Sequence, residues 1–253
     1  MKAGWGGRSK FYLPNEDARI VCEAVRHLDK RPNNPLFVCG SGMVALMVMS
    51  ELEGGATGTV VDVSSFQLDY FKSLLEVIGR SENAEALLGW FKKTVYPELC
   101  AHFERRGKSY PLESVIGAMK NLFGIDFFYN NEVFLKIKSR IGSISTHKND
   151  LNAYLQQIDA RHDFIYLSNV VDHMDEEEFR GLFDSCRRLD AFAYLLITDA
   201  CKEGEAVKKA WTEAGYTVHP FSAGLTKKNR GLGSASLVRD WNRKGNIYLL
   251  SPC

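Results

Sequence analysis

The chain has 253 residues, of which 45% are hydrophobic and 25% charged, with a formal net charge of +1. That length suits one large globular domain or a domain carrying an elaborated insert, and the near-neutral balance excludes a global electrostatic drive toward nucleic acid or an anionic membrane. No apolar run approaches the roughly 20 residues that cross a bilayer, and Cys22, Cys39, Cys100, Cys186, Cys201 and Cys253 form no Cys-x-x-Cys pair and follow no secretory leader, as expected of reduced thiols in a cytoplasmic protein.

After a glycine-rich start, "NEDARIVCEAVRHL" sets Ile20, Val21, Ala24, Val25 and Leu28 on one helical stripe, with Asn15 as the expected N-cap. "NNPLFVCG" and "GTVVDVS" read as buried parallel strands joined by a helix starting near Gly42, a βαβ unit. From Ser81 to about Ile141 the pattern is helical in three segments. That block is too long for one crossover and is expected to form a lid or acceptor subdomain, 81–141, within a single domain of 1–253. Alternation then resumes: a strand at "SISTHKND", a helix at "LNAYLQQI", a strand at "HDFIYLSNV", a helix from Asp175 to about Leu189, and a strand at "AFAYLLITDA". "EGEAVKKAWTEAGYTVHPF" reads as helix, glycine stop and strand, and "ASLVRDWNRKGNIYLLSP" as two strands around a turn at Lys244 to Asn246. The expected fold is α/β: a doubly wound, Rossmann-like sheet with an antiparallel C-terminal edge and a helical insertion.

Gly40, Ser41, Gly42 and Ala45 match G-x-G-x-x-A between a strand and a helix. The first glycine permits the tight turn, the second lets backbone approach a ligand, and the small third residue lets the helix pack close to the strand. Asp62 follows at the end of the next strand, about 20 residues on, where a carboxylate accepts both hydroxyls of a ribose. The competing structural reading is a tight βα turn with Asp62 capping the next helix. Dinucleotides and S-adenosylmethionine both use such a unit, and the downstream half separates them. Asp150, with Leu151 beside it, follows a strand where it meets an adenine amino group, and Ser168 and Asn169 end the next strand at the rim where open α/β sheets bind ligands. Ser168 and Asn169 also suit a simple turn cap.

This order, with "AGYTV" and a terminal strand pair, resembles the class I (methyltransferase-like) S-adenosylmethionine-dependent transferases. "FYLPNEDARIVCEAV", "VCGSGMVAL" and "VVDVSSFQLDYFKSLLEVI" resemble, more narrowly, the betaine-lipid-synthase-type 3-amino-3-carboxypropyltransferases. There an aromatic and an E-D pair precede the first helix, and a glutamine follows the motif aspartate. The likeness spans most of residues 10 to 200. It implies that Gly40, Ser41, Gly42, Asp62, Gln67, Asp150, Ser168 and Asn169 line the site of S-adenosylmethionine as co-substrate, with Tyr12 and Asn15 over its methionine end. The chain is compact for a betaine-lipid enzyme and shows no basic amphipathic segment for lipid contact. The expected acceptor is therefore a small molecule, peptide or nucleotide in a biosynthetic pathway.

The sulfonium activates three carbons. Attack on the methionine γ-carbon releases methylthioadenosine, and attack on the methyl group releases S-adenosylhomocysteine. The expected reaction is aminocarboxypropyl transfer, and an ordinary N- or O-methyltransferase is the alternative. A nucleoside-sensing module without turnover and a nicotinamide-dependent reductase are the further rivals, and the final strand pair argues against the last. Positioning supplies much of the acceleration, and a base is needed only for a protonated nucleophile. Tyr12, Asp172 and His173 are the catalytic candidates, although Asp172 and His173 have ordinary uses as turn and cap residues. "DEEE" at Asp175 to Glu178 reads as acids complementing a helix dipole. "KKNR" at Lys227 to Arg230 reads as a solvated loop, or else as an anion contact for the acceptor. Tyr110, Phe123, Phe127, Phe128 and Tyr129 read as core packing, or else as an aromatic acceptor pocket. The six histidines show no metal spacing with the cysteines, and no metal is expected.

Overall fold

The computed structural model describes residues 12–14, 17–105, 107–157, 162–168, 170, 174, 176–189, 191–198, 209, 212, 213, 215–220 and 245–252. Seven strands form one sheet in the order β3-β2-β1-β4-β5-β7-β6. They are β1 (Pro35–Val38), β2 (Gly58–Asp62), β3 (Ile144–Lys148), β4 (Phe164–Ser168), β5 (Phe192–Thr198), β6 (Tyr216–Pro220) and β7 (Gly245–Pro252). The first five run parallel, and β7 lies antiparallel between β5 and β6. This is the doubly wound α/β sheet expected, with the antiparallel strand one place in from the edge.

Side chains alternate between the sheet's two faces, as strand geometry requires. Phe37, Val60, Phe164 and Tyr166 pack on one face with α1 (Ala18–Arg26), α2 (Met43–Glu51) and α3 (Ser65–Arg80). Leu36, Val61, Ile165 and Leu167 pack on the other with α8 (Leu151–Gln157) and α9 (Glu176–Leu189). Helix α2 is buried from Met43 through Met49, which explains its unbroken apolar sequence. Glu176 to Glu178 open α9 at its positive end.

The helical block comprises α4 (Ala84–Trp90), a π-helical stretch at Phe91–Val95, α5 (Tyr96–Glu104), α6 (Leu112–Asn121) and α7 (Asn131–Lys138), with 3-10 turns at Asp126–Phe128 and Ile141–Ser143. The wide turn ends two residues before Pro97, which has no N–H to donate and whose ring crowds the carbonyl one turn back in a regular helix. Leu87, Phe91, Val95, Leu99, Phe103, Phe127 and Phe134 belong to the same apolar cluster as α1, α2 and α3, so the block shares the main core. Tyr110, Phe123, Phe127 and Phe128 are buried there as packing, with Phe127 and Phe128 ring centroids 4.6 Å apart.

Two sequence expectations need correction. Asn15 lies outside the described residues, and the N-cap of α1 is Asp17, whose side chain accepts from Arg19 N at 3.0 Å. Of the turn expected at Lys244 to Asn246, Gly245 and Asn246 lie in β7, opposite Thr198 and Ile197, and Lys244 lies outside the described residues. The antiparallel partners of β7 are β5 and β6, and residues 235–244 lie outside the described set. The loop Lys227 to Arg230 is also outside it.

Candidate functional site

The strand order reverses direction between β1 and β4, and the crevice beyond the carboxyl ends of such strands is where open α/β sheets bind ligands. The glycine turn occupies that position. Cys39 N–H donates to Val61 O at 3.0 Å, continuing the β1–β2 ladder, and Gly42 N–H closes the turn on Cys39 O at 2.6 Å. Ser41 is buried, and its hydroxyl accepts from Met43 N at 3.4 Å.

The two glycines have different tasks. Gly40 has φ +47°, and a Cβ there would meet nothing within 4 Å, so its missing side chain leaves open space beside the turn. Gly42 has φ +72°, and a Cβ there would run into the Phe71 ring of α3. The side chain that Gly42 lacks would thus meet Phe71 of the protein itself.

Asp62 ends β2, and Ser64 N–H donates to its Oδ1 at 2.8 Å. Burial raises its pKa above the ordinary carboxylate value, while hydrogen bonds from the backbone N–H groups of Ser64, Gly40 and Val63 pull it down. The carboxylate is thus joined to the glycine turn. It does not cap α3; Ser64 does, accepting from Gln67 N at 3.3 Å. Gln67 is buried in the first turn of α3.

Tyr12 is buried against Tyr70 of α3, edge to face at 5.3 Å between ring centroids, and Tyr70 O–H donates to Tyr12 O at 3.3 Å. The Tyr12 hydroxyl donates to the Glu98 carboxylate of α5. Burial, then the hydrogen bond and charge of Glu98, push the Tyr12 pKa far up, partly offset by the positive charge of Arg105. Tyr12 holds its proton and is no general base at neutral pH. Burial pushes the Tyr70 hydroxyl far up, and the negative charge of Glu98 adds to that rise. Turn, acid, Tyr70, Tyr12 and Glu98 therefore form one neighbourhood. Burial raises the Cys39 thiol well above its ordinary value, which keeps it an unreactive thiol there.

Asp150 stands on the β3–α8 connection, next to the edge strand that pairs with β2, and accepts from Ala153 N at 3.1 Å as a cap of α8. Leu151 starts that helix and is buried. Ser168 ends β4 just after a register shift opposite β5, a bulge of the kind that re-aims a strand end beside a site. Asn15, Asn169, Asp172 and His173 lie outside the described residues. Glu98 carries no local sequence signal, since 86 positions separate it from Tyr12. Among the described residues no cluster of three or more His, Cys, Asp or Glu side chains could hold a metal, and no described helix is long and apolar enough to cross a membrane.

The sequence matches no protein-family model and no curated protein sequence. The structure matches solved methyltransferases. The glycopeptide N-methyltransferase MtfA, solved with S-adenosyl-L-methionine, aligns over 100% of both chains at TM-score 0.50 and 12% identity. The methyltransferase domain of bacterial CtHen1-C aligns over 94% of this chain and 97% of its own, at TM-score 0.50 and 12% identity. An O-methyltransferase family protein from Burkholderia thailandensis aligns over 93% of this chain but 56% of its own, at TM-score 0.49 and 9% identity, so this chain spans little more than half of that protein. The fold is that of the class I, Rossmann-like methyltransferases.

Proposed function

We propose that the protein is an S-adenosylmethionine-dependent transferase acting on a small-molecule, peptide or nucleotide acceptor. The carrying observation is the hydrogen-bonded unit of Asp62 and the Gly40 turn at the sheet's switch point, beside open space at Gly40. Asp62 would accept the ribose hydroxyls, and Gly40, Ser41 and Gly42 would border the ribose and methionine side. Asp150 and Leu151 would flank the adenine, with Ser168 and Asn169 at the rim and Gln67 beneath. Tyr12 and Asn15 would cover the methionine end. S-adenosylmethionine supplies a sulfonium whose attached carbons are open to displacement. The protein's part is to hold the nucleophile in line with one C–S bond at about 3 to 3.5 Å and to exclude water. Tyr12 can position and donate but holds its proton, so a protonated nucleophile would have to give its proton to Asp172, His173 or solvent.

Methyl transfer is the reading the solved neighbours support, the full-length match to an N-methyltransferase foremost. Aminocarboxypropyl transfer is the second reading. It is favoured by the meeting of the residues that carry the family resemblance: Gln67 lies one turn before Tyr70 on α3, and Tyr70 packs on Tyr12. The helical block 81–141 would select the acceptor in either case. Incubation with S-adenosylmethionine and a pooled metabolite extract, read by mass spectrometry of the nucleoside products, separates the two. S-adenosylhomocysteine supports methyl transfer, methylthioadenosine above the enzyme-free rate supports aminocarboxypropyl transfer, and neither product counts against turnover.

A further inference from the structure

Two attachments tie the start of α1 and the residues ahead of it to the helical block. At the first, Ala18 N–H donates to Phe123 O at 2.9 Å and Arg19 Nη2 donates to Asn121 O at 2.8 Å, while the same guanidinium grips the Asp17 carboxylate. Gly124, at φ +60°, closes this corner, for a Cβ there would stand 2.5 Å from Arg19 Cγ. At the second stands Tyr12. Its hydroxyl donates to the Glu98 carboxylate of α5, its ring meets Tyr70 edge to face, and its carbonyl accepts from the Tyr70 hydroxyl. Tyr70 adjoins Phe71, whose ring lies against Gly42. Direct contacts thus run from the glycine turn through α3 and Tyr12 to α5. Packing alone does not call for the last of them. A phenylalanine would fill the same space against Tyr70, whereas the hydroxyl adds a charge-assisted hydrogen bond to a residue 86 positions away.

We infer that Glu98 is a positioning residue for S-adenosylmethionine: it fixes Tyr12 over the methionine end and so makes the helical block respond to the cofactor. This assignment rests on the cofactor reading above and extends it from the sheet to the block that would select the acceptor. Leu99 and Phe103 lock α5 into the main core, so Glu98 is the fixed point and Tyr12 the group it holds. The coupling is reciprocal. A ligand that packs on Tyr12 steadies its hydroxyl on Glu98 and, with it, the backbone of α5. Removing the contact should therefore weaken the cofactor and silence that response together.

The test is amide hydrogen exchange, read by mass spectrometry over residues 98–104 with and without saturating S-adenosylmethionine, alongside calorimetric affinity for the same ligand. In the wild type the ligand should slow exchange there by about tenfold. Tyr12→Phe and Glu98→Ala should each weaken binding by about tenfold and abolish the slowing even when saturated. The double variant should bind no worse than either single one, because both remove the same contact. Glu98→Gln keeps an accepting oxygen and should retain most of the slowing, and Glu104→Gln, exposed on the same helix, should match the wild type. A purely structural contact would change exchange equally with and without ligand. That result, additive losses in the double variant, or a wild type that binds the ligand without slowed exchange at 98–104 would overturn the inference. A wild type that binds no S-adenosylmethionine would instead remove the cofactor reading, and the inference with it.

Discussion

Gly42→Ala separates the packing account of the glycine turn from a ligand-only account. At φ +72° an alanine suffers the left-handed penalty, about 1 to 2 kcal/mol. Its methyl would also run into the ring of Phe71, which is fully buried, and overpacking of that kind costs about 1 to 3 kcal/mol. The expected loss is about 2 to 5 kcal/mol, a large share of the 5 to 15 kcal/mol or so that holds a typical domain together. Urea unfolding of the ligand-free protein should show a lower midpoint with an unchanged slope. Phe71→Leu in the same chain should recover the steric part and leave the backbone part, so the two changes should couple by about 1 kcal/mol or more. Gly42→Ala within about 0.5 kcal/mol of wild type, or strict additivity with Phe71→Leu, would refute the reasoning.

Gly40→Ala should behave differently: the space beyond its Cβ is open, so it should cost only the backbone term, about 1 to 2 kcal/mol, while lowering S-adenosylmethionine affinity in a binding titration. The affinity of the wild type should fall as pH drops. Burial keeps the Asp62 pKa above its ordinary value, so this carboxylate is neutralised sooner on acidification than an exposed one, and only the charged form accepts both ribose hydroxyls. Asp62→Asn should flatten that dependence in titrations repeated across pH. Ser64→Ala removes the cap of α3 and should cost about 1 kcal/mol in urea unfolding, with no effect of similar size from Ser73→Ala outside the cap. Tyr12→Phe should leave the shape of the pH–rate profile unchanged, because the hydroxyl never ionises in the working range; loss of a basic limb would contradict that.

The βαβ core is legible in the sequence because its signals are local: apolar β-branched runs, G-x-G-x-x-A at the first strand's end, and an acid closing the second. The stripe Ile20, Val21, Ala24, Val25 and Leu28 is buried as its spacing demands. The failures come from choices between near-equivalent neighbours and from long-range partners. "NED" offers consecutive capping side chains, and Asp17 prevails with Arg19 folded onto its carboxylate. Lys244 to Asn246 has the composition of a turn, yet Gly245 lies opposite Thr198, a pairing no local pattern announces. Likewise Phe71 beside Gly42, and Glu98 beside Tyr12, are contacts that only the assembled fold creates.

The central claim is that the Asp62 and Gly40 unit binds S-adenosylmethionine. Calorimetric titration of that ligand into the wild type and into Asp62→Asn tests it most directly, with NADH as the comparison ligand. The account predicts saturable one-to-one binding to the wild type, weakened by about 1 to 3 kcal/mol in Asp62→Asn, and no binding of NADH. Unchanged affinity in Asp62→Asn, or binding of NADH in place of S-adenosylmethionine, would contradict it.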